Sequence, residues 1–356
     1  CIRDSSGTGT LMGLLPEQTE HLTRGPVEAA GIGRPTTAGD VAVRANFATI
    51  ERRDEEFLVT DRRAGRITTG TDELAALLKD VDLGDGISAS LFPTNQHRGV
   101  LILSGPGLVA SVSDTDPGDI DMPAAMKTCQ ALEPRAELTA EKINCFVTES
   151  FRRLEDHPLN IARVQAGKLP ASGILTRGAG SMSSLDNMMQ SQGVRAAVVA
   201  GCNTVLGLGR MLGFNAISHP HFTATVETDI NAKIKATGSA LQEHDLVFVH
   251  FKAPDICSHD RQPQAKRDFL QRLDRALEPL LETGTIIAVG ADHTTDSNTG
   301  HHSADPVPVL ISQPDSVQSA EPVKFGEATC KQGNMDRQLS NEFLSRILHK
   351  MGFSPS

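Results

Sequence analysis

The pattern of apolar and polar positions divides the chain into two blocks. Over about residues 40–67 the sequence mixes apolar and polar positions and is rich in β-branched side chains. It runs D-V-A-V-R-A-N-F-A-T-I-E and then F-L-V-T-D-R-R, which predicts strands. A short amphipathic helix is predicted over residues 72–81, followed by a strand pair in I-S-A-S-L-F and R-G-V-L-I-L-S. A longer helix is predicted over about residues 138–154, with Thr139 as its N-cap. This block reads as a small α+β module.

From about residue 170 the pattern changes. Apolar, β-rich runs alternate with helical periods. The runs S-G-I-L-T-R-G, A-A-V-V-A-G, L-V-F-V-H-F, T-I-I-A-V-G and V-P-V-L-I-S read as strands. One stretch between them carries Phe269, Leu270, Leu273, Ala276, Leu277, Leu280 and Leu281 at three-four spacing. Pro279 would kink its last turn, and Gly284 is placed to end it. Such alternation predicts an α/β fold with a mostly parallel sheet covered by helices. The Gly-, Ser- and Thr-rich start, residues 1–12, reads as a frayed end or as a tight loop beside a reactive group.

Composition narrows the function. The 356 residues suggest two domains, or one large domain with an insertion. Hydrophobic residues at 39% and charged residues at 22% describe a globular chain, not a disordered one. The net charge of -10 and the absence of both Tyr and Trp argue against nucleic acid as a partner. There is no apolar run of about 18 residues, so no membrane-spanning helix is expected. The six cysteines are scattered without a C-x-x-C pair, which fits a reducing, cytoplasmic setting.

Two segments concentrate metal-type ligands, and both follow predicted core strands. H-F-K-A-P-D-I-C-S-H-D offers Asp255 and His259, four apart. G-A-D-H-T-T-D-S-N-T-G-H-H-S-A-D offers Asp292, His293 and His302, with His301 adjacent. Ligand sites of open parallel sheets sit outside the carboxyl ends of the strands. Carboxylate oxygen with imidazole nitrogen suits a divalent cation with open positions. Any one of these residues would be as well explained as a turn or strand cap; five at the ends of two strands point to a metal centre. Cys257, between Asp255 and His259, reads as space-filling. Arginines form the second constellation: Arg44 in R-A-N-F-A-T, Arg62, Arg63 and Arg66 in D-R-R-A-G-R-I, and Arg177 in R-G-A-G. Guanidinium groups suit bidentate contacts to phosphate and carboxylate. Adjacent Arg62 and Arg63 cannot share one face of a strand, so one of them is expected to be structural or exposed. Neither G-L-G-R nor R-G-A-G is a nucleotide-binding loop.

Several stretches together resemble the archaeal-type cofactor-independent phosphoglycerate mutases of the alkaline phosphatase superfamily. They are R-G-P-V-E-A-A-G-I-G, G-D-V-A-V-R-A-N-F-A-T, D-R-R-A-G-R-I, H-P-L-N-I-A-R with G-K-L-P-A, R-G-A-G, V-H-F-K-A-P-D-I-C-S-H-D, and A-D-H-T-T followed by H-S-A-D-P-V-P. The resemblance implies a three-layer, alkaline-phosphatase-like core of residues 1–38 and 166–356. An α+β lid of residues 39–165 would be inserted in it. A strand ending in Asp-Gly, expected upstream of the nucleophile, has no counterpart in the sequence, so the first core strand and one metal ligand are expected to be missing.

The resemblance also implies interconversion of 3-phosphoglycerate and 2-phosphoglycerate through a phosphoserine, with two divalent ions (Mn, Zn, Co or Mg) and no 2,3-bisphosphoglycerate. Asp255, His259 and His302 would hold one ion, and Asp292 and His293 would help hold the other. Ser6, or else Ser5, would be the nucleophile. Arg44, Arg62, Arg63, Arg66 and Arg177 would hold a small phosphorylated substrate, and Lys252 would steady a phosphoryl oxygen. Closure of the lid would keep water from the phosphoserine. The alternatives are a metal-dependent phosphatase or phosphonate-pathway phosphotransferase on the same scaffold, and a truncated, inactive homologue that only binds. The oligomeric state is left open.

Overall fold

A computed structural model describes residues 2–20, 22–34, 36–54, 56–118, 120–181, 188–313 and 324–353, without the side chains of residues 2–6, 20 and 188. The chain forms two units, Leu22–Ser184 and Cys1–His21 with Leu185–Ser356.

The Leu22–Ser184 unit is organised by one long strand, β1 (Val41–Arg53). The others are β2 (Glu56–Asp61), β3 (Val81–Asp82), β4 (Ser88–Pro93), β5 (Arg98–Ser104), β6 (Ala124–Ala125) and β7 (Gly173–Gly180). All pairings are antiparallel, in the order β3-β4-β5-β1-β2-β6, and β7 also pairs with β1. The first ten residues of β1 are buried, so both of its faces are covered. Val41, Val43, Ala45 and Phe47 join the main core with Leu74, Leu101, Leu103, Ile143 and Phe146. On the other face, Ala42 packs with Ala29 and Val100, while Ala48 and Ile50 pack with Val59 and Leu175. Arg44 and Asn46 are the polar interruption between these two small clusters, each only 6% exposed.

The helix Arg24–Gly31 packs on β1, β5 and β7. It comes so close that a Cβ on Gly25 would stand 2.1 Å from the carbonyl oxygen of Ala42. The helix Glu137–Leu154 covers the main core with Ala140, Ile143, Phe146, Val147 and Leu154. It starts earlier than expected, so Thr139 is not its N-cap. Instead the Thr139 hydroxyl accepts the Val109 N–H at 2.8 Å. The helix expected at 72–81 is shorter, Thr71–Ala76, because the chain turns at Asp80 (φ 49°) into β3.

The other unit holds a parallel sheet in the order β10-β8-β9, made of β8 (Ala196–Val199), β9 (Asn215–Ile217) and β10 (Leu246–Val249). Two antiparallel pairs follow: β11 (Ile287–Val289) with β14 (Leu310–Ser312), and β12 (Thr294–Asp296) with β13 (His301–Ser303). The four residues of β8 are buried, whereas β10 and β11 are half-buried. Helices Pro263–Ala276 and Glu278–Leu281 break at Leu277, next to Glu278–Pro279, and Gly284 (φ 69°) ends the run as expected.

Further expectations are corrected. The run S-G-I-L-T-R-G is β7, an antiparallel neighbour of β1, and V-P-V-L-I-S pairs antiparallel with β11, so neither joins a parallel core sheet. A strand buried on both faces reads as a continuous apolar run whichever way it pairs. The smaller unit, Leu22–Ser184, also takes in the Arg24–Gly31 helix and β7. The Gly/Ser/Thr tract is neither frayed nor a loop but a helix, Ile2–Leu11. It packs against helices Asn203–Met211 and Ser340–Lys350. Met12 and Leu14 are buried just beyond it, so tertiary packing overrides a poor intrinsic propensity.

Gly25→Ala places a methyl against rigid backbone. It should lower stability by about 1–3 kcal/mol or more in chemical denaturation. An unchanged midpoint would show that the helix-on-strand contact does not constrain the fold.

Candidate functional site

Asp255 and His259 sit one turn apart on the short helix Ala253–His259, which follows β10. His302 comes from β13, directly across from Thr295 on β12. One ligand atom from each of Asp255, His259 and His302 lies within 4.8 Å of the others. The His259 and His302 Nε2 atoms are 3.1 Å apart, and they stand 3.4 and 3.6 Å from Asp255 Oδ1. His293 stacks on His302, with ring centroids 3.9 Å apart. Its Nε2 is 3.6 Å from Asp292 Oδ1.

The hydrogen bonds fix which nitrogens carry protons. The Gly300 carbonyl can only accept, so His259 Nδ1–H donates to it at 2.8 Å. The neutral ring is left with a lone pair on Nε2, pointing at His302. The Thr295 hydroxyl donates to Asp255 Oδ1 at 2.6 Å. Its one proton is then used, so the 3.2 Å contact to His293 Nδ1 has the imidazole donating, and Nε2 of the neutral ring carries the lone pair, 3.6 Å from Asp292 Oδ1. A histidine oriented through Nδ1, with the lone pair of Nε2 turned towards a carboxylate, is an arrangement that suits a metal ligand. Burial pushes the Asp255 carboxyl up, but hydrogen bonds from Lys252, at 2.8 Å, and from Thr295 outweigh it and hold the group below its usual range. The carboxylate is therefore ionised and offers its charge to a cation.

The helix Ile2–Leu11 meets this centre. The Thr8 hydroxyl donates to Asp292 Oδ2 at 3.0 Å, and a Cβ on Gly7 would stand 3.1 Å from the Asp292 carbonyl oxygen. Ser5 and Ser6 lie on the same helix, two residues and one residue before Gly7, and their side chains lie outside the described residues. Thr8 and Thr295 were not singled out in the sequence, where a lone threonine carries no signal. Cys257 is buried, and burial raises its thiol pKa, in keeping with a space-filling role.

The arginines gather in the Leu22–Ser184 unit. Arg44 lies opposite Arg177 across the β1–β7 pair. Glu28, buried on the Arg24–Gly31 helix, accepts from Arg24 Nε at 3.0 Å and stands 3.8 Å from an Arg44 nitrogen. Burial lowers the Arg44 pKa to about 10 against the pull of Glu28, and Arg24, Arg98 and Arg177 add to the lowering. Like charges placed opposite one another in a sheet are unfavourable unless an anion joins them.

The segment D-R-R-A-G-R forms a left-handed turn. Ala64, Gly65 and Arg66 all have positive φ, at 46°, 62° and 56°. Asp61 Oδ1 accepts the N–H groups of Arg63 and Gly65, and Arg163 donates to the Ala64 carbonyl. Such backbone is strained for Ala and Arg and is held by its surroundings. The turn presents Arg62, Arg63 and Arg66 to a cavity of about 750 Å³, also lined by Asp61 and Asp121. Arg62 is gripped bidentately by buried Asp116, at 2.6 and 2.9 Å.

A carboxylate–imidazole centre beyond the end of a parallel strand places the chain among α/β proteins with a donor set that suits a divalent cation. The family model for 2,3-bisphosphoglycerate-independent phosphoglycerate mutase matches residues 6–160. The mutase of that name from Methanopyrus kandleri is 38% identical over 94% of this chain and 81% of its own length. The one from Methanoculleus marisnigri is 37% identical over 99% and 87%. The solved cofactor-independent phosphoglycerate mutase of Thermoplasma acidophilum superposes with a TM-score of 0.68 at 29% identity, covering 96% of this chain and 85% of its own. A solved Pyrococcus horikoshii protein superposes at 0.77 with 26% identity, covering 98% and 83%. The chain belongs to the 2,3-bisphosphoglycerate-independent phosphoglycerate mutases.

Thr295→Val removes the hydroxyl that orients both Asp255 and His293. In titration calorimetry it should weaken Mn²⁺ binding about 10–100-fold, and His302→Ala should weaken it at least as much. Unchanged affinity in both would rule out these residues as a metal centre.

Proposed function

We propose that this chain interconverts 3-phosphoglycerate and 2-phosphoglycerate without 2,3-bisphosphoglycerate, through a phosphoserine. The observation that carries the reading is the convergence of Asp255, His259 and His302 within 4.8 Å, with the Asp292–His293 pair alongside. That donor set fits divalent ions, which would neutralise charge on the phosphoryl group and ease deprotonation of the attacking hydroxyl. Asp255, His259 and His302 hold one ion; Asp292 and His293 contribute to a second.

Ser6, or Ser5 in its place, attacks phosphorus. The bond from Ser Oγ to phosphorus forms as the bond from phosphorus to the substrate's C3 oxygen breaks, and that oxygen takes up a proton. The freed glycerate then turns its C2 hydroxyl towards the phosphoserine, and the same exchange runs in reverse. The placement of Gly7 and Thr8 on Asp292 supports a nucleophile on this helix. Lys252, held by Asp255, steadies a phosphoryl oxygen. Arg63 and Arg66, on a turn that the fold holds rigid, and Arg44 with Arg177 hold the anionic ends of the substrate. Arg62, fixed by Asp116, holds the turn and adds charge to the same cavity. Retaining the glycerate between the two transfers is what separates a mutase from a phosphatase.

The test is a coupled assay for 2-phosphoglycerate made from 3-phosphoglycerate, with Mn²⁺ supplied, no 2,3-bisphosphoglycerate present, and free phosphate read in parallel. The expected result is 2-phosphoglycerate without phosphate release, and a KM raised tenfold or more by Arg63→Ala. Phosphate release alone would replace this reading with a phosphatase.

A further inference from the structure

Among the described residues, four buried polar atoms of the Leu22–Ser184 unit have no hydrogen-bond partner: Arg24 Nη1, Arg44 Nε, Asn46 Oδ1 and His97 Nδ1. They belong to one neighbourhood. Arg24 and Arg44 share Glu28. Asn46 is two residues along the same face of β1 from Arg44 and lies opposite Arg98. His97 precedes Arg98, and its carbonyl accepts the Phe47 N–H at 2.7 Å. Arg44, Asn46 and His97 are each at least 94% buried. A buried polar atom without a partner is costly, and an apolar residue of similar size would avoid the cost. The same face of β1 carries alanine at 42 and 48, so the fold itself does not call for polar groups there.

The four atoms differ in chemistry. Two are charged guanidinium donors. Asn46 Oδ1 is a neutral acceptor. His97 is kept neutral: burial, then Arg98, Arg63 and Arg44, lower its pKa to about 4. Its Nδ1 is a donor or an acceptor according to tautomer. Cationic donors beside a neutral hydrogen-bonding pair match an anion that carries an adjacent hydroxyl. A plain phosphate or a plain carboxylate would satisfy the arginines and leave Asn46 Oδ1 still without a donor.

We infer that Asn46 and His97 are specificity-determining residues: Arg24 and Arg44 take the carboxylate of a three-carbon phosphoacid, and the Asn46–His97 pair reads its free hydroxyl. This inference rests on the mutase reading and adds to it residues that tell phosphoglycerate from phosphoacids lacking that hydroxyl. A site built to hydrogen-bond a hydroxyl discriminates strongly against the analogue without it, because its own polar groups are then left unpaired.

The experiment compares two ligands on the full chain by calorimetry. They are 3-phosphoglycerate and the phosphate ester of 3-hydroxypropionate, which keeps both anionic ends and lacks the hydroxyl. The unaltered chain should prefer 3-phosphoglycerate by tenfold or more. Asn46→Leu should bind 3-phosphoglycerate at least tenfold more weakly while its affinity for the analogue stays the same. His97→Gln, which keeps a neutral hydrogen-bonding group, should lose less than His97→Leu, and this pair decides the matter if Asn46→Leu fails to fold. An equal loss on both ligands would reduce these residues to structural ones and overturn the inference. Turnover of 3-phosphoglycerate without discrimination between the ligands would overturn it alone and leave the mutase reading standing. Binding of neither ligand, with no turnover, would overturn both.

Discussion

Two imidazole nitrogens held 3.1 Å apart, 3.4 and 3.6 Å from one carboxylate oxygen, are the constraint around which the candidate site is built. The Gly300 carbonyl takes the Nδ1 proton of His259, so its Nε2 lone pair faces His302 and Asp255. Lone pairs and a carboxylate crowded together repel unless a proton or a cation sits among them. The surroundings work against a proton on the carboxylate, since Lys252 and Thr295 hold Asp255 ionised. The short helix after β10 and the β12–β13 pair bring these groups together, within 4.8 Å of one another.

The arginine constellation answers the opposite electrostatic problem. The chain carries a net charge of -10, yet Arg24, Arg98 and Arg177 all act on buried Arg44, and Glu28 is the carboxylate that stands beside Arg24 and Arg44. A global negative charge says little about such a local field. The left-handed turn at Ala64–Arg66 adds Arg63 and Arg66 on strained backbone tied down by Asp61 and Arg163. Strain of this kind persists where the fold over-determines it, and it places the guanidinium groups before any ligand arrives. Local cationic pockets of this type suit a phosphoglycerate, which carries a phosphate at one end and a carboxylate at the other.

Much of this was legible in the sequence, and the failures have physical causes. Asp255 and His259, four apart after an apolar run, and the histidine-rich segment after T-I-I-A-V were legible as one cluster, because helix spacing and strand ends constrain where side chains meet. The amphipathic helix at Glu137–Leu154 and the β4–β5 pair follow from periodicity alone. The helix Ile2–Leu11 was not legible, since its Gly, Ser and Thr residues disfavour a helix and only packing within its unit makes one. The direction of β7 was hidden because a doubly buried strand shows no alternation. Asn46, His97 and Glu28 looked like ordinary polar residues; only their burial, and for Asn46 and His97 their missing partners, distinguish them.

The most direct test of the metal centre is anomalous diffraction from crystals of the full chain grown with Mn²⁺. The account predicts a peak about 2.0–2.2 Å from His259 Nε2, His302 Nε2 and an Asp255 oxygen. Full occupancy by Mn²⁺ elsewhere, with no peak among these three residues, would contradict it.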